Sequence, residues 1–244
     1  MEQTNSLTIG APREAHPGER RVAITPAAEW LLDNFHVVED QLRDIREHLP
    51  AGYYKLLPKL ADGPLRGYPR VYGVAWAIVA HTDSRFDPDW LLRFVRAYQR
   101  VQPLTIGELW AVPISLRIVL IENLRRLAVR IVGSQMARQR ADRFVDELLP
   151  GAGTRPADLI ERALRGMDSA NLWPAFAVQL VQRLRYAAAD TTALLEWLHR
   201  EPATRHASTE DIVQAEHAGQ AAANLTVGNL ITSMRAIAAN DWRG

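Results

Sequence analysis

The feature that most constrains this chain is a start signal followed by a long helical pattern. Thr105 and Glu108 stand three residues apart, the spacing at which each side chain can satisfy the other's free amide at a helix start. Behind them apolar residues recur at helical spacing through residue 149, and polar residues occupy the opposite face. One breaker interrupts the run. Pro113 lies two turns inside, lacks an amide donor and crowds the preceding turn at a cost of ~3 kcal/mol if unrelieved, so a kink or break is expected there. Residues 134–143 are polar and rich in arginine, which predicts a helix that projects into solvent or docks on another part of the protein.

The same periodicity governs most of what surrounds it. Thr25 followed by Pro26 opens a helix, with the threonine hydroxyl placed to cap and proline in the first turn. Trp30, Leu31, Phe35, Val38, Leu42, Ile45 and Leu49 fall on one stripe, ended by Pro50 and Gly52. Asp33, Glu39, Asp40, Arg43, Asp44 and Arg46 make the solvated face. Residues 53–68 carry Pro58, Gly63, Pro64 and Gly67, and read as a loop with one short helix. Pro69 begins a helix running to Thr82. Asp87 before Pro88 begins another, which Gln102 and Pro103 stop. Residues 150–156 (PGAGTRP) are a linker. Helices follow over 156–165, 173–188, 191–200, 209–223 and 226–239, with Ser208 and Asp211 as a further cap signal. Extended patterns are confined to residues 7–11 and 21–24. The expectation is an all-α, multi-helix array with one long proline-kinked helix and a short extended segment over residues 1–25. Its divisions are a helical domain over 26–149, the linker, and a second, truncated helical segment over 157–244.

Composition narrows the functional classes. A chain of 244 residues, 48% hydrophobic and 23% charged, can bury a real core. The net charge of +1 gives no bulk reason to expect nucleic acid or an anionic membrane. Lysine occurs only at Lys55 and Lys59, so arginine carries nearly all positive charge. Absence of cysteine excludes disulfides, thiolate catalysis and cysteine metal sites. Neither a signal peptide nor a transmembrane span is legible, since residues 71–80 and 109–121 fall short of the roughly 20 apolar residues required.

The strings DNFHVVEDQ, RAYQRVQPLTIGELWAVPISLR, IENLRRLA and ANLTVGNLITSMRAIAANDW, with RGYPRVYGVAWAIVAHTD, resemble the amino-terminal cytoplasmic region of bacterial cyclic β-1,2-glucan synthases. The resemblance runs from about residue 24 to residue 242. It implies the non-catalytic part of a very large inner-membrane glucosyltransferase that uses UDP-glucose, extends a β-1,2-linked chain on itself and closes it into a ring. The implied partners are the catalytic and membrane portions of such a synthase and its glucan; the implied place is the cytoplasmic face of the inner membrane. Residues 7–26, LTIGAPREAHPGERRVAITP, resemble instead the start of alanine dehydrogenases and transhydrogenase α subunits. The two resemblances meet near Ile24, whether by fusion, recombination or an error in the gene model.

Candidate chemistry is sparse. His81, Asp83, Asp87 and Asp89 cluster, but Asp83 and Asp87 sit at helix boundaries where carboxylates cap amides, and the spacing fits no calcium loop. Asp87-Pro88-Asp89 has the DxD shape used by nucleotide-sugar transferases, yet it opens a helix where that motif ends a strand. Gly151-Ala152-Gly153 follows a helix and lacks the third glycine of a dinucleotide fingerprint, so no NAD domain follows the dehydrogenase-like opening. No HExxH pair and no GxSxG elbow occurs. The expectation is no catalytic residue, metal site or cofactor. Tyr68, Tyr72, Trp76 and Trp110 are candidates for a sugar or partner contact, although their spacing also suits a core. Glu122, Asn123, Arg125 and Arg126 are candidates for a polar interdomain contact. The competing readings are a stand-alone helical module that binds glucan or protein, and an NAD(P)-linked dehydrogenase or transhydrogenase fragment.

Overall fold

A computed structural model describes residues 24–50, 52–148, 169–185, 209–240 and 242. Its elements are α1 (Pro26–Asp33), α2 (Phe35–His48), α3 (Tyr53–Leu56), α4 (Arg70–His81), α5 (Pro88–Val101), α6 (Ile106–Leu148), α7 (Ser169–Arg185) and α8 (Thr209–Ala239). Among the described residues the only extended pairing is an isolated bridge between Lys59 and Pro69. The chain is all-α. The extended patterns read at residues 7–11 and 21–23, the linker at 150–156, the helices at 156–165 and 191–200, and Ser208 lie outside the described residues.

Side-chain caps mark the starts of α1, α5 and α6. The Thr25 hydroxyl accepts from the Ala28 amide at 3.4 Å, ahead of Pro26 in the first turn. Replacing Thr25 by alanine should cost about 1 kcal/mol in a urea titration, the usual loss for an N-cap. Asp87 accepts from the amides of Asp89 and Trp90 at 2.9 and 3.0 Å. The loop before α4 lies flat on that helix because Gly73 has no side chain: a Cβ there would sit 2.9 Å from a Leu60 methyl.

Two boundaries differ from expectation, and one expected irregularity is carried inside a continuous helix. The stripe predicted over 26–49 is divided at Asn34, whose side-chain amide donates to the Trp30 carbonyl at 2.8 Å and so competes with the helical ladder. Its carbonyl oxygen also accepts from Arg235 of α8 at 2.6 Å. The break rotates the second half, so Ala27, Val37, Val38 and Gln41 are buried and Trp30 and Phe35 are left about half exposed. The long helix expected to carry Pro113 is present: α6 runs as one 43-residue helix with that proline inside it. Ala111, Val112 and Ile114 beside it are all buried, and their burial holds the helix across the missing hydrogen bond. Lastly, the helices expected over 209–223 and 226–239 are one. The Thr226 hydroxyl donates back to the Ala222 carbonyl at 2.9 Å and so does not cap a new start.

The core follows from these choices. Leu116, Val119, Leu120, Leu124 and Leu127 of α6 pack with Val71, Val74, Ala75 and Ile78 of α4 and with Val227, Leu230, Ile231, Met234 and Ile237 of α8. Further along α6, Ala137, Ala141, Phe144 and Val145 are buried, as are Phe176, Leu180 and Leu184 of α7, and the Phe144 and Phe176 rings meet at 6.4 Å. The arginine-rich part of α6 therefore docks on its neighbours, and Arg138 pairs with Glu216 of α8.

Candidate functional site

The sequence candidates separate into three places. On α4, Tyr72 and Trp76 are four residues apart and share a helix face, and Tyr68 in the preceding loop extends the row. The Tyr68 and Tyr72 rings stack at 5.3 Å, and the Tyr72 and Trp76 rings meet at 6.3 Å. Beyond Trp76 the Arg126 guanidinium lies 4.6 Å from the indole centre, a cation–π contact. Tyr68 is the exposed end of this row. Trp110 projects from α6 at 79% exposure and joins none of these ring contacts.

Glu122 fixes the other end of the row. Its carboxylate accepts from Arg125 at 2.8 and 2.9 Å and from Arg126 at 2.9 Å. The two guanidinium groups hold the Glu122 carboxyl down to about 2. Burial and the nearby Glu122 charge push the Tyr72 hydroxyl up. The predicted quartet is thus split. Glu122, Arg125 and Arg126 form a surface cluster, and Asn123 turns inward to donate to the Ser84 hydroxyl at 2.7 Å.

Ser84 belongs to a constellation that sequence reasoning missed. Asp83 and Ser84 both have positive φ, 49° and 64°, which costs energy for residues with a Cβ. Four side chains hold that turn. The Ser233 hydroxyl donates to the Ser84 carbonyl at 2.6 Å and accepts from the Phe86 amide at 2.8 Å. Asn229 donates to the Asp83 carbonyl at 3.0 Å, Asn123 engages Ser84, and Trp242 packs on Phe86 at 5.8 Å. Asp83 thus contributes its carbonyl and a left-handed backbone, not the carboxylate cap expected of it. No local signal marks this knot, because its hydrogen-bonded partners are 39 to 149 residues apart.

A second group is built around Glu108. The capping box forms as predicted: the Glu108 amide donates to the Thr105 hydroxyl at 3.2 Å, and the Thr105 amide to Glu108 at 2.8 Å. The same carboxylate also accepts from Arg70 at 2.8 and 2.6 Å, with Glu108 fully buried. Burial would push its carboxyl up, but the Arg70 and Thr105 hydrogen bonds outweigh burial and hold it below the usual carboxylate value. Arg70 also donates to the Pro103 carbonyl at 3.0 Å, tying α4 to the turn before α6.

None of these groups has the form of a transferase site. The Asp87 carboxylate of the DxD-like triplet is engaged as a cap. The one acidic grouping with metal-compatible spacing among the described residues, Asp44, Glu47 and His48, is exposed or half-exposed, and Asp44 pairs with Arg117 at 3.3 Å. Buried charges go to their partners on neighbouring helices, as a packing framework requires. No described helix is long and apolar enough to cross a membrane.

Comparison with known proteins agrees with the sequence resemblance. No family model matches the chain. Among curated proteins it is similar to the cyclic beta-(1,2)-glucan synthase NdvB of Rhizobium meliloti (strain 1021), with 37% identity over 228 residues, 92% of this chain. The match spans 8% of that protein's length. Identity at this level over so much of the chain is that of common descent, and the protein is a cyclic-glucan-synthase-related, all-α chain homologous to one region of NdvB.

Proposed function

We propose that this chain is the non-catalytic helical scaffold of a cyclic β-1,2-glucan synthase-type glucosyltransferase, lying toward the amino terminus of the intact enzyme on the cytoplasmic face of the inner membrane. Its role is to hold and dock the catalytic portion, which takes glucose from UDP-glucose. The observation that carries this reading is the match of 92% of the chain to a small part of a synthase. The placement of charge supports it: Glu108, Arg70, Arg117, Arg138 and Arg235 all bridge helices.

The test is a chimera. Deleting the matching segment from the Rhizobium meliloti synthase should abolish glucan formation from UDP-glucose, and inserting this chain in its place should restore a substantial share of it. Glucose transfer by the isolated chain would sink the scaffold reading. A second reading, glucan binding, is favoured by the exposed Tyr68 end of the aromatic row. Stacking on sugar needs an open ring face. Tyr72 has its neighbours in the row, and Trp76 carries Arg126, so Tyr68 is the ring that would serve. Calorimetry with cyclic β-1,2-glucan separates the two.

A further inference from the structure

We propose that the outward face of α6 is a docking surface for a protein partner that presents an acidic amphipathic helix. Between Asn123 and Ala141 the chain contains no aspartate or glutamate, while arginine stands at 125, 126, 130, 138 and 140; Arg125 and Arg126 share Glu122 and Arg138 pairs with Glu216 of α8, so the proposed face draws on Arg130 and Arg140, with Arg143 beyond them. This is a local concentration in a chain whose net charge is only +1. Val129, Val132 and Met136 recur at three- and four-residue spacing on one side of this stretch, and they are 61%, 53% and 56% exposed. The buried side of the same turns is carried by Leu124, Leu127, Ala137 and Ala141. The outward stripe is therefore a second apolar face on a helix that has already seated its first.

Single exposed apolar side chains need no explanation, but three in register, flanked by arginines, form a patch with a defined axis. Arg130 is exposed on its flank, and Arg140 and Arg143 follow one and two turns after Met136. Charge decides among occupants. A second copy would set arginine against arginine across the seam, with Glu122 already engaged by Arg125 and Arg126. A bilayer surface is better met by tryptophan or phenylalanine beside the cations, and residues 122–143 contain no aromatic. Methionine and arginine beside an apolar stripe are residue types enriched in protein interfaces. A helix with leucines on one stripe and carboxylates on both flanks matches the face in period and sign.

The test titrates the full chain with a fluorescent synthetic helix of that design, leucines on one stripe and glutamates beside it, and reads anisotropy. Saturable binding is expected, weakened about tenfold by Val132→Asp with circular dichroism unchanged. The double reversal Arg130→Glu with Arg140→Glu should lose that peptide and acquire a version with lysine in place of glutamate. Equal binding of a scrambled peptide of the same composition would overturn the proposal, because charge alone would then suffice. So would absence of binding, binding of phosphatidylglycerol vesicles in place of the peptide, or self-association abolished by Val132→Asp.

Discussion

Glu108→Ala should destabilise the protein by about 3 kcal/mol in chemical denaturation, because it strands a guanidinium that was bought out of water by this one partner. Arg70 is 13% exposed at its side chain and Glu108 0%, so neither recovers full hydration when the other is removed. The substitution also deletes the acceptor of the Thr105 amide at the start of α6. Arg70→Met should cost a similar amount by leaving the carboxylate buried alone. The double variant Arg70→Met with Glu108→Met should cost clearly less than the two together, and strict additivity would rule out the pair as the cause. The pH dependence has a definite sign. The folded Glu108 carboxyl lies below its unfolded value, so its contribution is full above the ordinary carboxylate range and disappears as pH falls through the depressed folded value. Loss of stability on acidification should therefore be shallower in Glu108→Gln than in the parent.

Ser233→Val should have an effect of comparable size, about 2 to 4 kcal/mol, by leaving the Ser84 carbonyl and the Phe86 amide without their partner in a closed site. Ser233 is 3% exposed and Ser84 2%, so water cannot readily replace the hydroxyl. The two left-handed residues would lose one of the contacts that hold them, and the turn between α4 and α5 should become the first region to exchange its amides. Hydrogen exchange read by mass spectrometry checks this: increased exchange over residues 79–90 is expected. An unchanged profile with unchanged stability would show that the turn is held without Ser233.

What the sequence revealed and what it hid follow from the range of the interactions. Thr25, Asp87 and the Thr105–Glu108 pair were legible because a cap is settled within three residues. The loop with one short helix at Tyr53–Leu56 was legible from proline and glycine. The break at Asn34 was not, since apolar residues continue in period across it and its second partner is Arg235, 201 positions away. Pro113 was legible as an irregularity within the long helix, and α6 does run on through it. Of the candidate site, Tyr68, Tyr72 and Trp76 do come together, as four-residue spacing implies, and Glu122 with Arg125 and Arg126 likewise. Arg126 over Trp76, Arg70 on Glu108 and the Ser84–Ser233 knot join separate helices, and no window of sequence contains both halves.

The seating of α8 among the first helices sets the order of events during synthesis. Val227, Leu230, Ile231, Met234 and Ile237 complete a core whose other walls come from residues 27–127. On the ribosome those walls emerge long before their last member. Until it arrives, the apolar sides of α4 and α6 face solvent, and the left-handed turn at Asp83 and Ser84 lacks its Ser233 and Asn229 supports. A nascent chain halted before residue 227 should thus be held by chaperones or aggregate, whereas emergence of residue 242 from the ribosome should let the body close in one cooperative step.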